Sequence, residues 1–174
     1  MSEGKQVSTS ELGSKTAAEL LQIVELFKPR LVGLPSEDQK FAVRPVPEKW
    51  SKQEILGHLI DSASNNHQKF VRLMQFDELD FPGYAQDEWV LLQACSSMEW
   101  NEMVILWSSF NKHLAHVMRQ VPSEQLTNSI TINGVGPFEL GFVMQDYVEH
   151  LKHHLRQIFP GCELQSAFKN VYGA

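Results

Sequence analysis

Two cysteines in 174 residues, Cys95 and Cys162, stand far apart in unlike contexts. They form no CxxC pair and no disulfide framework, so covalent staples do not organise this chain. Cys95, set among apolar neighbours, reads as a small core residue rather than a nucleophile. The sequence also lacks an apolar run of about 18 residues that would cross a bilayer. Residues 1–6 lack the apolar centre of a secretory signal, which leaves a reducing cytoplasm as the expected setting. An excess of positive charge is missing too: 15 Lys and Arg face 21 Asp and Glu, for a net charge of −6. Nucleic acid and anionic membrane both want a basic face, so neither is expected as a partner. No Ser-His-Asp arrangement stands out. Gly134-Val135-Gly136 is too short and wrongly flanked for a phosphate loop. The metalloprotease motif H-E-x-x-H is absent, because Leu151 follows His150 where the glutamate base would stand.

What remains is a soluble-type composition, 43% apolar and 21% charged, in a length that suits one domain with a substantial core. Residues 1–13 are polar and read as a loose tail. Apolar residues then recur at helical spacing over residues 14–32, through Ala18, Leu21, Ile23, Val24, Leu26 and Phe27. Pro29, Gly33 and Pro35 are expected to end or kink that helix. Ser51-Lys52-Gln53-Glu54 is a capping box, with Trp50 and Ile55 placed for a hydrophobic staple. The helix it opens should run to about residue 76. Residues 77–86, around Pro82-Gly83, read as a turn-rich loop. A short helix is expected over 87–94, and a third long one over 98–121. Residues 122–126 look like a single helical turn. Residues 129–134 alternate polar and apolar before a turn, so a brief extended stretch or hairpin is expected. Pro137 is placed to open the last long helix, which should stop at Pro160-Gly161. Residues 161–174 read as an irregular tail. Four long helical patterns with little strand signal make an all-α four-helix bundle over residues 14–160.

Histidines carry the chemistry. His150 and His154 are four residues apart in the last helix, about 400° of rotation, and so project from nearly the same face. His58 in the second helix supplies a third imidazole. Three nitrogens from facing helices make a site that keeps coordination positions open, as a catalytic metal requires. His153 lies about 60° round the helix from His150 and about 100° from His154, off the shared face. His67 is nine residues from His58, half a turn out of phase, and should face elsewhere. His113 and His116 read as one solvated and one interfacial histidine. Ligating imidazoles usually donate their other N–H to a carboxylate or carbonyl. Asp61 near His58 and Asp146 one turn before His150 are the carboxylates best placed for that role or for general base. Glu54 is taken by the capping box, and Gln157 is a further outer candidate.

Two patterns together, Trp50-x3-Glu54-x3-His58-Leu59-x-Asp61 and His150-x2-His153-His154-x2-Gln157-Ile158, resemble the DinB/YfiT-like superfamily of metal-dependent four-helix proteins. Gly134-Val135-Gly136-Pro137-Phe138-Glu139-Leu140 adds to the likeness, which covers most of residues 14–160. The resemblance implies His58, His150 and His154 as ligands of a divalent transition metal, zinc or nickel, and a homodimer. It also implies a small-molecule substrate. The chemistries it brings are transfer with a low-molecular-weight thiol, isomerisation, and hydrolysis assigned largely by analogy. Two non-enzymatic alternatives stand beside these: a metal-holding protein that works through its dimer surface, and a helical interaction module with merely packed histidines.

Overall fold

The computed structural model describes residues 9–172; most of the polar tail expected over residues 1–13, like residues 173 and 174, lies outside them. Four long helices form the body: α1 (Glu11–Glu37), α2 (Lys52–Leu73), α4 (Trp100–Gln120) and α5 (Leu140–Ile158), with the short α3 (Gln86–Leu92) between α2 and α4. Packing pairs α1 with α4 and α5, and α2 with the same two helices. Helices α2 and α5 therefore lie face to face. The core between the helices is continuous and includes Phe27, Leu56, Phe70, Trp107, Leu114, Tyr147 and Leu155.

Local chemistry accounts for the helix starts. Ser10 caps α1, its hydroxyl accepting from Gly13 N at 2.9 Å. The capping box of α2 is complete: Ser51 Oγ accepts from Glu54 N at 3.1 Å, and Ser51 N donates to Glu54 Oε2 at 2.8 Å. Arg44 then grips the same carboxylate through Nε and Nη2 at 2.8–3.0 Å. This pins the chain that leads into the histidine-bearing helix.

Helix α1 is longer than its prolines imply. Pro29 and Pro35 both lie inside it, and it continues to Glu37. Pro35 has no N–H for the carbonyl four residues back. That carbonyl, Leu31 O, accepts instead from Trp100 Nε1 at 2.7 Å. A side chain from α4 repairs the ladder that the proline breaks. Burial of Leu31 and Leu34 against the core holds the last turns in place.

A small three-stranded sheet, order β1-β2-β3, packs against α2 and α5. β2 (Ser129–Ile132) and β3 (Val135–Glu139) form the expected hairpin. Its turn is Asn133-Gly134, both at positive φ (50° and 77°), the pair that a two-residue turn of matching twist selects. The loop expected over 77–86 contains a strand, β1 (Glu78–Phe81), parallel to β2 with Leu79 opposite Ile130. Pro137 sits within β3 and does not open α5, which begins at Leu140. Leu140 N and Gly141 N donate to Asn128 O and Leu126 O, which serve the free end of α5 in place of a proline start. From Cys162 to Tyr172 the chain carries no helix or strand.

Cys95 is buried, and burial pushes its thiol pKa up, away from thiolate reactivity. Its sulfur crowds α2: a Cβ at Gly57 would lie 2.4 Å from Cys95 Sγ. Only glycine allows that approach, one residue before His58.

Candidate metal centre

Helix α5 buries Met144, Val148, Leu151, Leu155 and Ile158 as one face, and that phase carries His154 inward with them. On α2 the buried run 53–59 does the same for His58, which has no exposed surface. Because these helices face each other, three imidazoles converge. His58 Nε2 lies 3.1 Å from His150 Nε2, and His154 Nε2 lies 3.0 Å from the same atom. Each residue offers one ligand atom in a group spanning no more than 4.8 Å.

The outer nitrogens define what the inner ones present. His154 Nδ1 lies 2.9 Å from Gln157 Oε1. An amide oxygen only accepts, so Nδ1 carries the proton and Nε2 keeps its lone pair. The other end of that amide, Gln157 Nε2, lies 3.0 Å from His153 Nε2. His150 Nδ1 is held by Ser62 Oγ at 3.3 Å. His58 Nδ1 is buried without a hydrogen-bond partner among the described residues. Trp50 packs against the cluster, its ring centroid 4.9 Å from that of His58 and 6.3 Å from that of His154.

All three imidazoles are kept neutral. Burial lowers the pKa of His58 to about 3 and that of His154 to about 4, and holds His150 well below its ordinary value; neighbouring histidines add to the effect. Three neutral rings that bring one nitrogen each into a single cluster, with no carboxylate among them, match the donor set of a borderline divalent ion. A tetrahedral ion about 2.0–2.1 Å from each nitrogen sets them about 3.3 Å apart. The His58–His150 and His150–His154 spacings, 3.1 and 3.0 Å, lie close to that value.

The carboxylates take different places. Asp61 is buried with both oxygens 2.9 Å from Gln93 Nε2, and no hydrogen bond joins it to His58. Burial raises its pKa, and the Gln93 amide opposes the rise. Asp146 faces a cavity of about 290 Å³ that reaches His150 and His154. There it accepts from Tyr172 Oη at 2.7 Å. Burial raises its pKa, partly offset by that bond and by the Lys69 charge. His153 flanks the cluster without joining it. His67 and His113 pair with each other, Nε2 to Nε2 at 3.2 Å, outside the cluster.

Further residues contribute to the site. Ser62 stands four residues after His58, and that spacing was available as a signal. Trp50, a packing anchor and the first residue of the Trp50-x3-Glu54-x3-His58 pattern, also packs its ring against His58 and His154. Phe168 and Tyr172 of the C-terminal segment also line the cavity, and the Phe168 ring lies 5.0 Å from that of His150. No periodicity in that segment announces them.

The sequence pattern of the DinB superfamily matches residues 14–158. Among solved structures, YfiT from Bacillus subtilis, described as a probable metal-dependent hydrolase with an unusual four-helix bundle topology, superposes with a TM-score of 0.72. That likeness covers 90% of this chain and 89% of YfiT at 16% sequence identity, and it speaks for the fold. No curated protein matches the sequence.

Proposed function

This chain belongs to the DinB superfamily, and on that premise we propose that it is a metal-dependent enzyme acting on a small molecule in the cavity beside His150 and His154. His58, His150 and His154 hold a divalent transition ion, zinc or nickel. The observation that carries this reading is the convergence of three neutral imidazoles, two of which line a cavity. An ion held there supplies Lewis acidity, lowering the pKa of a water or thiol and polarising the substrate.

The chain's own groups divide the remaining work. Ser62 and Gln157 orient two of the imidazoles. Trp50 and Phe168 cover the cluster from two sides and limit its contact with water. Asp146, in the cavity and with its pKa raised by burial, is the general base for hydrolysis. Asp61, which accepts from Gln93 and is not among the residues that line the cavity, supports α2 and α3 instead. The description of YfiT as a probable metal-dependent hydrolase favours hydrolysis as the first chemistry. Thiol transfer is the second, favoured by a ligand set that leaves the dipositive charge undiminished for a thiolate. A homodimer in a reducing compartment belongs to the same proposal; both cysteines are free, and Leu91 and Leu92 of α3 are exposed apolar surface that a second copy would cover.

The test is metal content per chain, measured on untagged wild-type protein and on His150→Ala. Near-stoichiometric zinc or nickel lost in the variant, followed by turnover of an ester, an amide or a thiol with an electrophile, supports an enzyme. Absence of metal from both after reconstitution overturns it in favour of a helical interaction module.

A further inference from the structure

Helix α2 carries a polar stripe that starts at Ser62, which holds His150, and runs on beyond the metal centre. Ser62, Asn65, Asn66 and Lys69 follow His58 at steps of four, seven, eight and eleven residues, which keeps them on one face. All four line the cavity opposite Asp146 and His150 of α5. Lys69 stands at the far end of this stripe. Eleven residues amount to about 16 Å along the axis, and a helical side chain leans back towards the N-terminus, which shortens the gap to the histidines.

The Lys69 ammonium lies 5.6 Å from the Phe81 ring centroid and 5.7 Å from that of Tyr172. Among the described residues it forms no direct ion pair and no hydrogen bond. Asp146 is the nearby negative group, but its carboxylate is engaged by Tyr172 Oη. A half-buried cation without a hydrogen-bonded anion is costly. Two aromatic faces offset that only in part. Asn133 lines the same cavity; its Oδ1 accepts from Gly83 N at 2.7 Å, and its amide N–H groups have no partner among the described residues. Two sources of hydrogen-bond donors therefore face the cavity.

We propose that Lys69, assisted by Asn133, anchors the anionic end of the ligand, so that the substrate class is a small carboxylate whose other end reaches the three histidines. The role of that other end rests on the metal-dependent reading above. The anchor itself does not. The cavity volume of about 290 Å³ restricts such a ligand to a short molecule.

Two probes of equal size separate the possibilities: 3-mercaptopropionate and 3-mercaptopropionamide, which differ in the charge of one end. Each is titrated into metal-free and zinc-loaded protein while the side-chain amide NMR signals of Asn65, Asn66 and Asn133 are followed. The expected result is at least about tenfold tighter binding of the carboxylate in both forms, as one charge-assisted contact provides. The difference should disappear in Lys69→Gln and survive in Lys69→Arg. Equal affinities in the wild type, no binding of the carboxylate in the millimolar range, or discrimination retained in Lys69→Gln overturns the anchor. Because the wild-type comparison needs no variant, poor folding of a substituted chain leaves the assignment testable. Protein that takes up no zinc sinks the metal reading, while the metal-free titration still decides the anchor. Protein that takes up zinc but binds both probes alike sinks the anchor alone.

Discussion

Gln157 Oε1 sits 2.9 Å from His154 Nδ1, one helical turn along α5, and fixes which nitrogen of that ring carries the proton. The contact leaves the Nε2 lone pair aimed at the cluster in every molecule. Gln157→Leu keeps the side-chain bulk and removes the acceptor. We expect zinc affinity to fall about 10- to 100-fold, the usual cost of losing such an outer partner. Competition with a chromophoric chelator measures it. Thermal stability of the metal-free protein should change little, since Gln157 is exposed. Unchanged affinity would mean that packing alone orients His154.

The ligand set makes a sharper prediction. His58→Ala, His150→Ala and His154→Ala should each reduce bound metal to a small fraction of the wild-type level, because two imidazoles hold an ion much less firmly than three. His153→Ala should retain it. His153 touches Gln157 and the edge of His154, with ring centroids 5.0 Å apart, but adds no nitrogen to the cluster. Elemental analysis of the four variants decides. Metal lost in His153→Ala and kept in His154→Ala would place the wrong histidine in the centre.

Acid should destabilise the metal-free protein through the same residues. In the unfolded chain a histidine titrates near 6.5. In the fold, burial lowers His58 to about 3 and His154 to about 4. Below about pH 6.5 the unfolded chain binds protons that the fold refuses, so stability falls as pH drops, down to the folded values. Above about pH 6.5 both states are neutral and these groups contribute no slope. Denaturant midpoints of metal-free protein at pH 7.5 and 5 should therefore differ, and His58→Gln should flatten the dependence. Bound metal steepens it, because protons compete with the ion for the same nitrogens.

What the sequence reveals follows the range of each interaction. The capping box at residues 51–54 is local, and it forms as its spacing implies. The phase of His58, His150 and His154 is equally readable, since helical period alone sets it. The continuation of α1 through Pro35 depends on Trp100, far along the chain. Strand β1 is four residues with Glu and Asp at alternate positions, a poor strand by propensity, and it exists through pairing with β2. The C-terminal segment is placed by docking: Ser166 Oγ donates to Glu149 O at 2.8 Å, which swings Phe168 and Tyr172 over the cavity. Nothing in its composition encodes that. Asp61 shows the converse failure, for nearness to His58 in sequence suggested a partner that the structure gives to Gln93.

Tyr172 offers the last prediction, because it ties that segment to Asp146. Its hydroxyl donates to Asp146 Oδ2 at 2.7 Å, stabilising the charged carboxylate and opposing the rise that burial imposes. Tyr172→Phe keeps the ring beside Phe138 and Lys69 and deletes only the donor. The Asp146 pKa should therefore move further up, which carboxyl carbon NMR can follow directly. If Asp146 is the base, the acid limb of the rate profile moves to higher pH by the same amount, while metal content stays at the wild-type level. A shifted Asp146 with an unmoved rate profile would remove Asp146 from the reaction. An unmoved Asp146 would show that the Tyr172 hydroxyl does not reach it in solution, and that the C-terminal segment lies elsewhere.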